Sequence, residues 1–376
     1  MRIFCDENIR EARAAFSTLG EVTLFRGRPV ALEEIKDADI LCVRSVTKID
    51  AALLDAVQPR FVATATSGAD HLDFEALKQR KIPFAVASGS NAVSVAEWVV
   101  AVLLLHARRN KTELQGKTLG IIGVGQVGSR VANFAKALGM QPVLCDPPRA
   151  EREKTFQSAT LNEALACDFI TLHPNLSHEG IYKTFHLLGE KEILRIKPGA
   201  VLIQASRGAV IDSAPLKNRL LKARDLDYYA DVFEGEPMPD KDILCCAQIS
   251  TPHIAGYSWD GKLRGTEMIY KAVCDFLGAK PSWQAPYSQG GTVEIDLSGL
   301  KKEKALAKAV FSLYNPESDD ALLCPVLDLG DSKRGAYFDD LRKNYKKRLE
   351  FSHGVVSNAA PEEAATLKAL GFTLAL

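Results

Sequence analysis

At 376 residues the chain is too long for one simple core, so two or three domains are expected. Its 47 basic and 47 acidic residues cancel, and 47% of it is apolar. That balance gives no global charge for nucleic acid or a membrane surface to recognise, and it is too apolar for a disordered chain. The eight cysteines form no Cys-x-x-Cys pair and no metal-type cluster, so we expect no metal site and reduced, mostly buried thiols. Reduced thiols fit a cytoplasmic protein. The N-terminus, Met1 to Asp6, reads as a short strand entering a polar loop rather than as a secretory leader. The most apolar run, Trp98 to Leu105, falls short of the ~20 residues that span a bilayer and reads as a buried helix.

Taken in chain order, strands are expected at Arg2–Cys5, Asp39–Val43, Phe61–Ala65 and Phe84–Ala87. Helical spacing falls around Glu11–Leu19, Asp50–Val57 and Phe74–Gln79. This alternation predicts a doubly wound parallel sheet covered on both faces. The turn Ser88-Gly89-Ser90-Asn91 then opens a long helix from about Val93 to Arg109. A second alternating unit begins at Lys117: strand Thr118–Ile122, helix Gln126–Leu138, strand Pro142–Cys145. Later strands are expected at Phe169–Leu172, Ala200–Gln204, Tyr228–Asp231 and Gln248–Thr251, the strand count of a dinucleotide-binding domain. A helix near Leu263–Leu277 follows, then a Pro-, Ser-, Gln- and Gly-rich linker from Lys280 to Gly291. The tail keeps its apolar content, with strands expected at Thr292–Ile295, Val326–Leu329 and His353–Val356.

Gly123-Val124-Gly125-Gln126-Val127-Gly128 places a GxGxxG motif between a strand and a helix. Such glycines permit a tight turn, close backbone approach to a pyrophosphate and close helix–strand packing, with the helix N-terminus facing the phosphates. Asp146 ends the next strand about 18 residues after the last glycine, where an acid binds the adenosine ribose hydroxyls. An acid there favours NAD over NADP, although Arg149 is a cation that could take a 2′-phosphate. Asp146 could also simply start the turn before Pro147-Pro148.

Three later segments carry what hydride transfer needs. Gln204-Ala205-Ser206-Arg207-Gly208 follows a strand, and a guanidinium at that sheet edge can grip a carboxylate and polarise a carbonyl. Asp231-Val232-Phe233-Glu234-Gly235-Glu236-Pro237 offers several carboxylates. Thr251-Pro252-His253-Ile254-Ala255-Gly256-Tyr257 presents a histidine, the side chain suited to taking the alcohol proton near neutrality.

Together these segments resemble the D-isomer-specific 2-hydroxyacid dehydrogenase family. The resemblance implies two Rossmann-like doubly wound domains: a discontinuous substrate domain (1–92 and 257–280) and an NAD-binding domain (93–256). A small α+β C-terminal domain (281–376) would dimerise the chain. It implies Arg207, Glu236 and His253 as the catalytic set, with Glu236 rather than its rival Glu234 paired to His253. Cofactor contacts would come from Gly123, Gly125, Gln126, Val127, Gly128, Asp146, Pro174, Ala205, Ser206, Asp231 and Gly256. One departure stands out: the family's His-x-Pro-Leu-Thr reads His173-Pro174-Asn175-Leu176-Ser177 here, the proline one place early.

Val43-Arg44-Ser45-Val46-Thr47-Lys48, Tyr257 after Gly256, and Phe338 to Tyr345 resemble the branch of the family acting on 4-phosphoerythronate in pyridoxal phosphate biosynthesis. That branch implies substrate contacts from Ser45, Thr66 and Tyr257, although Ser45 and Thr66 could instead cap helices and Tyr257 could pack. Arg44 is a further candidate donor. In the basic run Arg342 to Arg348, a cation could reach the substrate phosphate across a dimer interface, or the run could be a solvated helix face. The alternatives are a dehydrogenase for another phosphorylated acid, such as 3-phosphoglycerate, and an NAD(H)-sensing corepressor.

Overall fold

The computed structural model describes residues 1–375 and divides into two compact units. Residues 1–91 and 257–291 form the first, residues 92–256 and the described residues from 292 onward the second. The linker through Gly291 thus belongs with the first unit. The tail expected as a separate domain from residue 281 instead shares a compact unit with the dinucleotide-binding residues. The cause is packing: Ala305, Ala309, Val310 and Phe351 of the tail join Val99, Leu103 and Leu119 in one buried cluster.

The first unit is built on five parallel strands: β1 (Arg2–Asp6), β2 (Glu21–Phe25), β3 (Ile40–Val43), β4 (Phe61–Thr64) and β5 (Phe84–Val86). Their order is β2-β1-β3-β4-β5, which reverses direction between β1 and β3. Strands β3 and β4 are buried throughout, as expected of parallel strands covered on both faces. Asp50 and Asp73 cap the helices Ala51–Val57 and Phe74–Gln79 through Leu53 and Ala76 N–H. Ser45 and Thr66 cap neither of them. Helix Trp259–Leu277, capped by Ser258, covers one sheet face with Ile269, Tyr270, Val273 and Cys274.

The second unit carries β6 (Thr118–Ile122), β7 (Gln141–Cys145), β8 (Phe169–Leu172), β9 (Ala200–Gln204), β10 (Leu226–Ala230) and β11 (Ile249–Ser250). Their order is β11-β10-β9-β8-β6-β7, with the reversal between β6 and β8. The strand that would lie outside β7 in a full dinucleotide fold is reduced to a short extended segment. There Ala159 N–H donates to Leu144 O at 2.7 Å and Asp146 N–H to Ser158 Oγ at 2.8 Å. The long helix is Ala92–Asn110, buried along almost its whole length.

The tail adds β12 (Val293–Asp296), β13 (Gly354–Ser357) and β14 (Thr373–Leu374), also parallel, in the order β12-β13-β14. The strand expected at Val326–Leu329 is instead a 3-10 turn, Cys324–Leu327, followed by a bend. Pro325 opens that turn, and its fixed φ and missing N–H disfavour a paired strand there. All eight cysteines are free, five of them buried. No helix among the described residues is long and apolar enough to cross a membrane.

Candidate active site

The glycine motif lies at the carboxyl end of β6, beside the strand-order reversal, where such sheets bind ligands. Gly123 has φ 84°, and a Cβ there would collide with the backbone of His173 and Pro174. A Cβ at Gly128 would strike Gly123 O, so this glycine seats helix Gln126–Ala137 on the loop. At Gly125 the outcome is the opposite: a Cβ would meet no protein atom within 4 Å. Open space beside the helix N-terminus, where Gln126 and Val127 form the first turn, is the cradle a pyrophosphate needs. Pro174, despite its displaced position in sequence, directly abuts the glycine turn. Next to it the buried His173 ring bonds Thr171 Oγ1 at 2.9 Å, and burial pushes its pKa down to about 3, so it stays neutral.

Asp146 ends β7 and does two jobs at once. One oxygen accepts from Val124 N–H at 2.7 Å in the glycine loop, and the other caps helix Pro147–Arg152 through Arg149 N–H at 2.9 Å. A carboxylate offers about four lone-pair sites, so capacity remains for ribose hydroxyls. Arg149 is held across the loop, donating to Val124 O at 2.7 Å, Ser129 Oγ at 3.1 Å and Glu153 at 2.9 Å. These partners occupy the cation that could otherwise take a 2′-phosphate. The donor set fits NAD.

The Arg207 loop leaves the end of β9 and is stapled by Gln204. The Gln204 amide donates to Arg207 O at 2.9 Å, and its oxygen accepts from the Ser206 hydroxyl at 2.9 Å. Ala205 packs on the core and Ser206 is buried. Gly208 touches the Phe233–Glu234 backbone so closely that any Cβ would overlap it. That contact joins the arginine loop to the carboxylate loop.

His253 Nδ1 and Glu236 Oε2 lie 2.6 Å apart, while Glu236 Oε1 accepts from Phe233 N–H at 2.8 Å. Burial opposes ionisation of Glu236. The His253 charge and hydrogen bond, the Phe233 N–H and the positive charge of Arg342 outweigh it and hold the carboxyl below its ordinary range. With Nδ1 committed, Nε2 is the nitrogen left to exchange a proton with a substrate. His253 adopts φ 54°, an uncommon conformation for a residue with a side chain. Its N–H reaches Asp231 O at 2.8 Å and Thr251 O at 2.9 Å, which holds it there.

Asp231, expected at the nicotinamide end, is buried beneath the histidine turn. It accepts from Thr251 Oγ1 at 2.6 Å, Ile254 N–H at 2.7 Å and Ala255 N–H at 2.9 Å. Its contacts in this structure therefore shape the turn. Gly256 closes the turn half-buried.

Glu234 is engaged elsewhere, accepting from His186 Nε2 at 2.6 Å and Ser213 N–H at 3.2 Å. Asp212 lies 3.7 Å from His186 Nδ1. This His186–Asp212–Glu234 group, with ligand atoms within 4.8 Å of one another, escaped the sequence reading. The imidazole bridges two carboxylates, one on each nitrogen, and ties the loop around His186 to both neighbouring loops. No spacing signal could have found it, because three separate segments meet there.

In the basic run Lys343, Lys346 and Lys347 are exposed, and the expectations change at Arg348. Arg348 is a buried structural cation, donating to Ala255 O at 2.9 Å and Ser94 O at 2.8 Å with its guanidinium 3.8 Å over the Tyr314 ring. It is neither a solvated helix face nor placed to meet a phosphate. Arg342 is half-buried, 3.8 Å from Asp339, and its positive charge bears on Glu236.

In the first unit, Ser45 is exposed in the loop after β3. Thr66 donates to Gly68 O at 3.0 Å and shares a 2.8 Å hydrogen bond with Thr64. The Tyr257 ring lies 4.9 Å from the Lys262 ammonium.

Known proteins similar to this chain show its family. Residues 85–255 match the model of the D-isomer specific 2-hydroxyacid dehydrogenase NAD-binding domain. Residues 290–371 match a domain of unknown function. An erythronate-4-phosphate dehydrogenase of Salmonella arizonae is 42% identical over 99% of this chain and 98% of its own length. The chain belongs to the D-isomer-specific 2-hydroxyacid dehydrogenase family. An enzyme of the same description from Shigella boydii matches with equal identity and coverage. Among solved structures, an NAD-bound 3-phosphoglycerate dehydrogenase of Entamoeba histolytica superposes with a TM-score of 0.64 at 26% identity. It covers 74% of this chain and 95% of that one. A D-lactate dehydrogenase of Aquifex aeolicus, complexed with NAD and lactic acid, gives 0.61 at 27% identity, covering 74% and 96%. The chain is therefore an NAD-dependent dehydrogenase of this family, with the mixed α/β parallel-sheet architecture expected.

Proposed function

We propose that the chain oxidises 4-phosphoerythronate at C2 to 3-hydroxy-2-oxo-4-phosphobutanoate, a step of pyridoxal phosphate biosynthesis. The observation that carries this reading is end-to-end similarity to erythronate-4-phosphate dehydrogenases, with 42% identity over 99% of the chain. NAD, when bound, accepts the hydride. Arg207 holds the carboxylate and polarises the C2 oxygen. His253 Nε2 takes the hydroxyl proton, and Glu236 orients the ring and stabilises its protonated form from the Nδ1 side. Ser45, Thr66 and Tyr257 contribute substrate contacts in this reading.

We further assign the protein to the cytoplasm, supported by its eight free cysteines. A homodimer through the C-terminal segment is supported by the resemblance of Phe338 to Tyr345 to a dimerising tail.

The test compares 4-phosphoerythronate with 3-phosphoglycerate in NAD-linked turnover, with 2-oxo acids added to recycle any retained cofactor. Preference for the four-carbon acid is expected, and preference for 3-phosphoglycerate would overturn the substrate assignment. His253→Ala should lose about 10²–10⁴-fold in turnover while binding NADH normally by nicotinamide fluorescence. Tight NADH binding with no turnover of either acid by the unaltered protein would favour a cofactor-sensing role.

A further inference from the structure

Three cations gather at the carboxyl edge of the first unit's sheet with no ion-pair partner among the described residues. Arg10 follows β1, Arg44 directly follows β3, and Lys262 lies in the first turn of helix Trp259–Leu277. Strands β1 and β3 are hydrogen-bonded neighbours and mark the point where strand order reverses. In open parallel sheets that point leaves a crevice between diverging loops, and ligands bind there. The segment from Tyr257 to Lys262 is drawn to the same edge, because the Thr266 hydroxyl one turn further along donates to Arg10 O at 2.7 Å.

Two of the three cations are held by aromatic rings rather than by carboxylates. The Arg10 guanidinium stacks 3.8 Å over the Trp259 ring, and the Lys262 ammonium lies 4.9 Å over the Tyr257 ring. The Nε of Arg10 is buried with no acceptor at all. No ion pair involves Arg10, Arg44 or Lys262 among the described residues. Burial, followed by repulsion from Arg44 and Arg10, pushes the Lys262 pKa down to about 8. Burial also lowers Arg10, offset only in part by the adjoining Glu11. Like charges crowded into a partly desolvated edge are costly unless an anion completes them.

We propose that Arg10, Arg44 and Lys262 form the subsite that takes the terminal phosphate of the substrate. This rests on the reading of a phosphorylated hydroxy acid given above. A phosphate supplies close to two negative charges and three acceptor oxygens, one for each cation. The rings of Trp259 and Tyr257 fix two of the cations before the ligand arrives, which lowers the ordering cost of binding. Lys262 also gains charge on binding, because the arriving anion raises its pKa.

Two measurements test the proposal. Calorimetric titration of the intact protein with inorganic phosphate should show saturable binding, weakened at least tenfold in Lys262→Met and in Arg10→Met. Steady-state kinetics with 4-phosphoerythronate and with unphosphorylated erythronate should show the same two variants losing discrimination. KM for the phosphorylated acid should rise on the order of 100-fold with kcat within about threefold, so that the selectivity ratio collapses toward one. Lys262→Arg should recover much of it. If the variants bind phosphate and discriminate as the unaltered protein does, or lose both substrates equally, the subsite assignment is wrong. Should phosphate bind in the expected, variant-sensitive way while 4-phosphoerythronate is not turned over, the subsite stands and the substrate assignment falls.

Discussion

The three motif glycines separate folding from function at the scale of single atoms. A Cβ at Gly128 would strike Gly123 O, whereas one at Gly125 would meet nothing in the protein. Gly128→Ala should therefore destabilise the second unit, with a lowered denaturation midpoint. Gly125→Ala should leave that midpoint unchanged and weaken NADH binding at least tenfold by fluorescence titration. Equal destabilisation by both would show that the space beside Gly125 is not reserved for a ligand. The division of labour between Glu234 and Glu236 lies at the same scale. Two carboxylates two residues apart face different histidines, His186 and His253. Residue types allow either pairing, and only the turn between them decides.

Elements show where sequence reasoning reaches and where it stops. Phe74–Gln79, Thr118–Ile122, Phe169–Leu172 and Ala200–Gln204 are legible because apolar runs there are cleanly bounded by turn or capping residues. Strand β2 escaped, since its exposed edge position leaves only Val22 and Phe25 buried. The tail strand at Val326–Leu329 failed because apolar content outweighed the proline before it. Within the site, motifs placed on strand ends were readable. The surroundings of Arg10 and Arg348 were not, because they are built by contacts between segments far apart in the chain.

Asp168 illustrates such a contact in electrostatic form. Its carboxylate accepts from Thr118 N–H at 2.8 Å and pairs with Lys197 at 2.7 Å, pinning the start of β6. Burial works against its ionisation, but Lys197 and the two Thr118 donors bring its pKa down to about 2. A carboxyl depressed in the folded state stabilises above its unfolded pKa of about 3.9 and loses that contribution as pH falls toward its folded value. The urea midpoint should fall between about pH 4 and pH 2, and Asp168→Asn should flatten that slope. A slope unaltered by the substitution would place the acid sensitivity elsewhere.

On the scale of the whole molecule, the tail shares one compact unit with the glycine motif and His253. Arg348 binds Ala255 O, two residues from His253, and Ser94 O at the start of the long helix. Its charge lies 3.9 Å from Glu97, whose other oxygen accepts from Phe351 N–H at 2.6 Å. Breaking such a buried group from one side costs about 3–5 kcal/mol. Arg348→Met should lower the urea midpoint by a corresponding amount and reduce kcat of the remaining folded protein. Arg348→Lys should rescue little, since one ammonium cannot reproduce the two-pronged contact. Stability and turnover both unchanged in Arg348→Met would make the tail a mere appendage.

The interleaving of the two units has a consequence for the chain as it is made. The face of the first sheet carrying Ile3, Cys5, Cys42 and Ala63 is covered by Ile269, Tyr270, Val273 and Cys274 of helix Trp259–Leu277. More than 150 residues separate the last strand of that sheet, ending at Val86, from the start of this cover. At ribosomal rates of about 5–20 residues per second, the nascent sheet waits on the order of 10–40 s with this face covered only by Ala12, Ala15 and Phe16 of the early helix. Chaperone supply during translation, rather than the stability of the finished protein, would then set its yield.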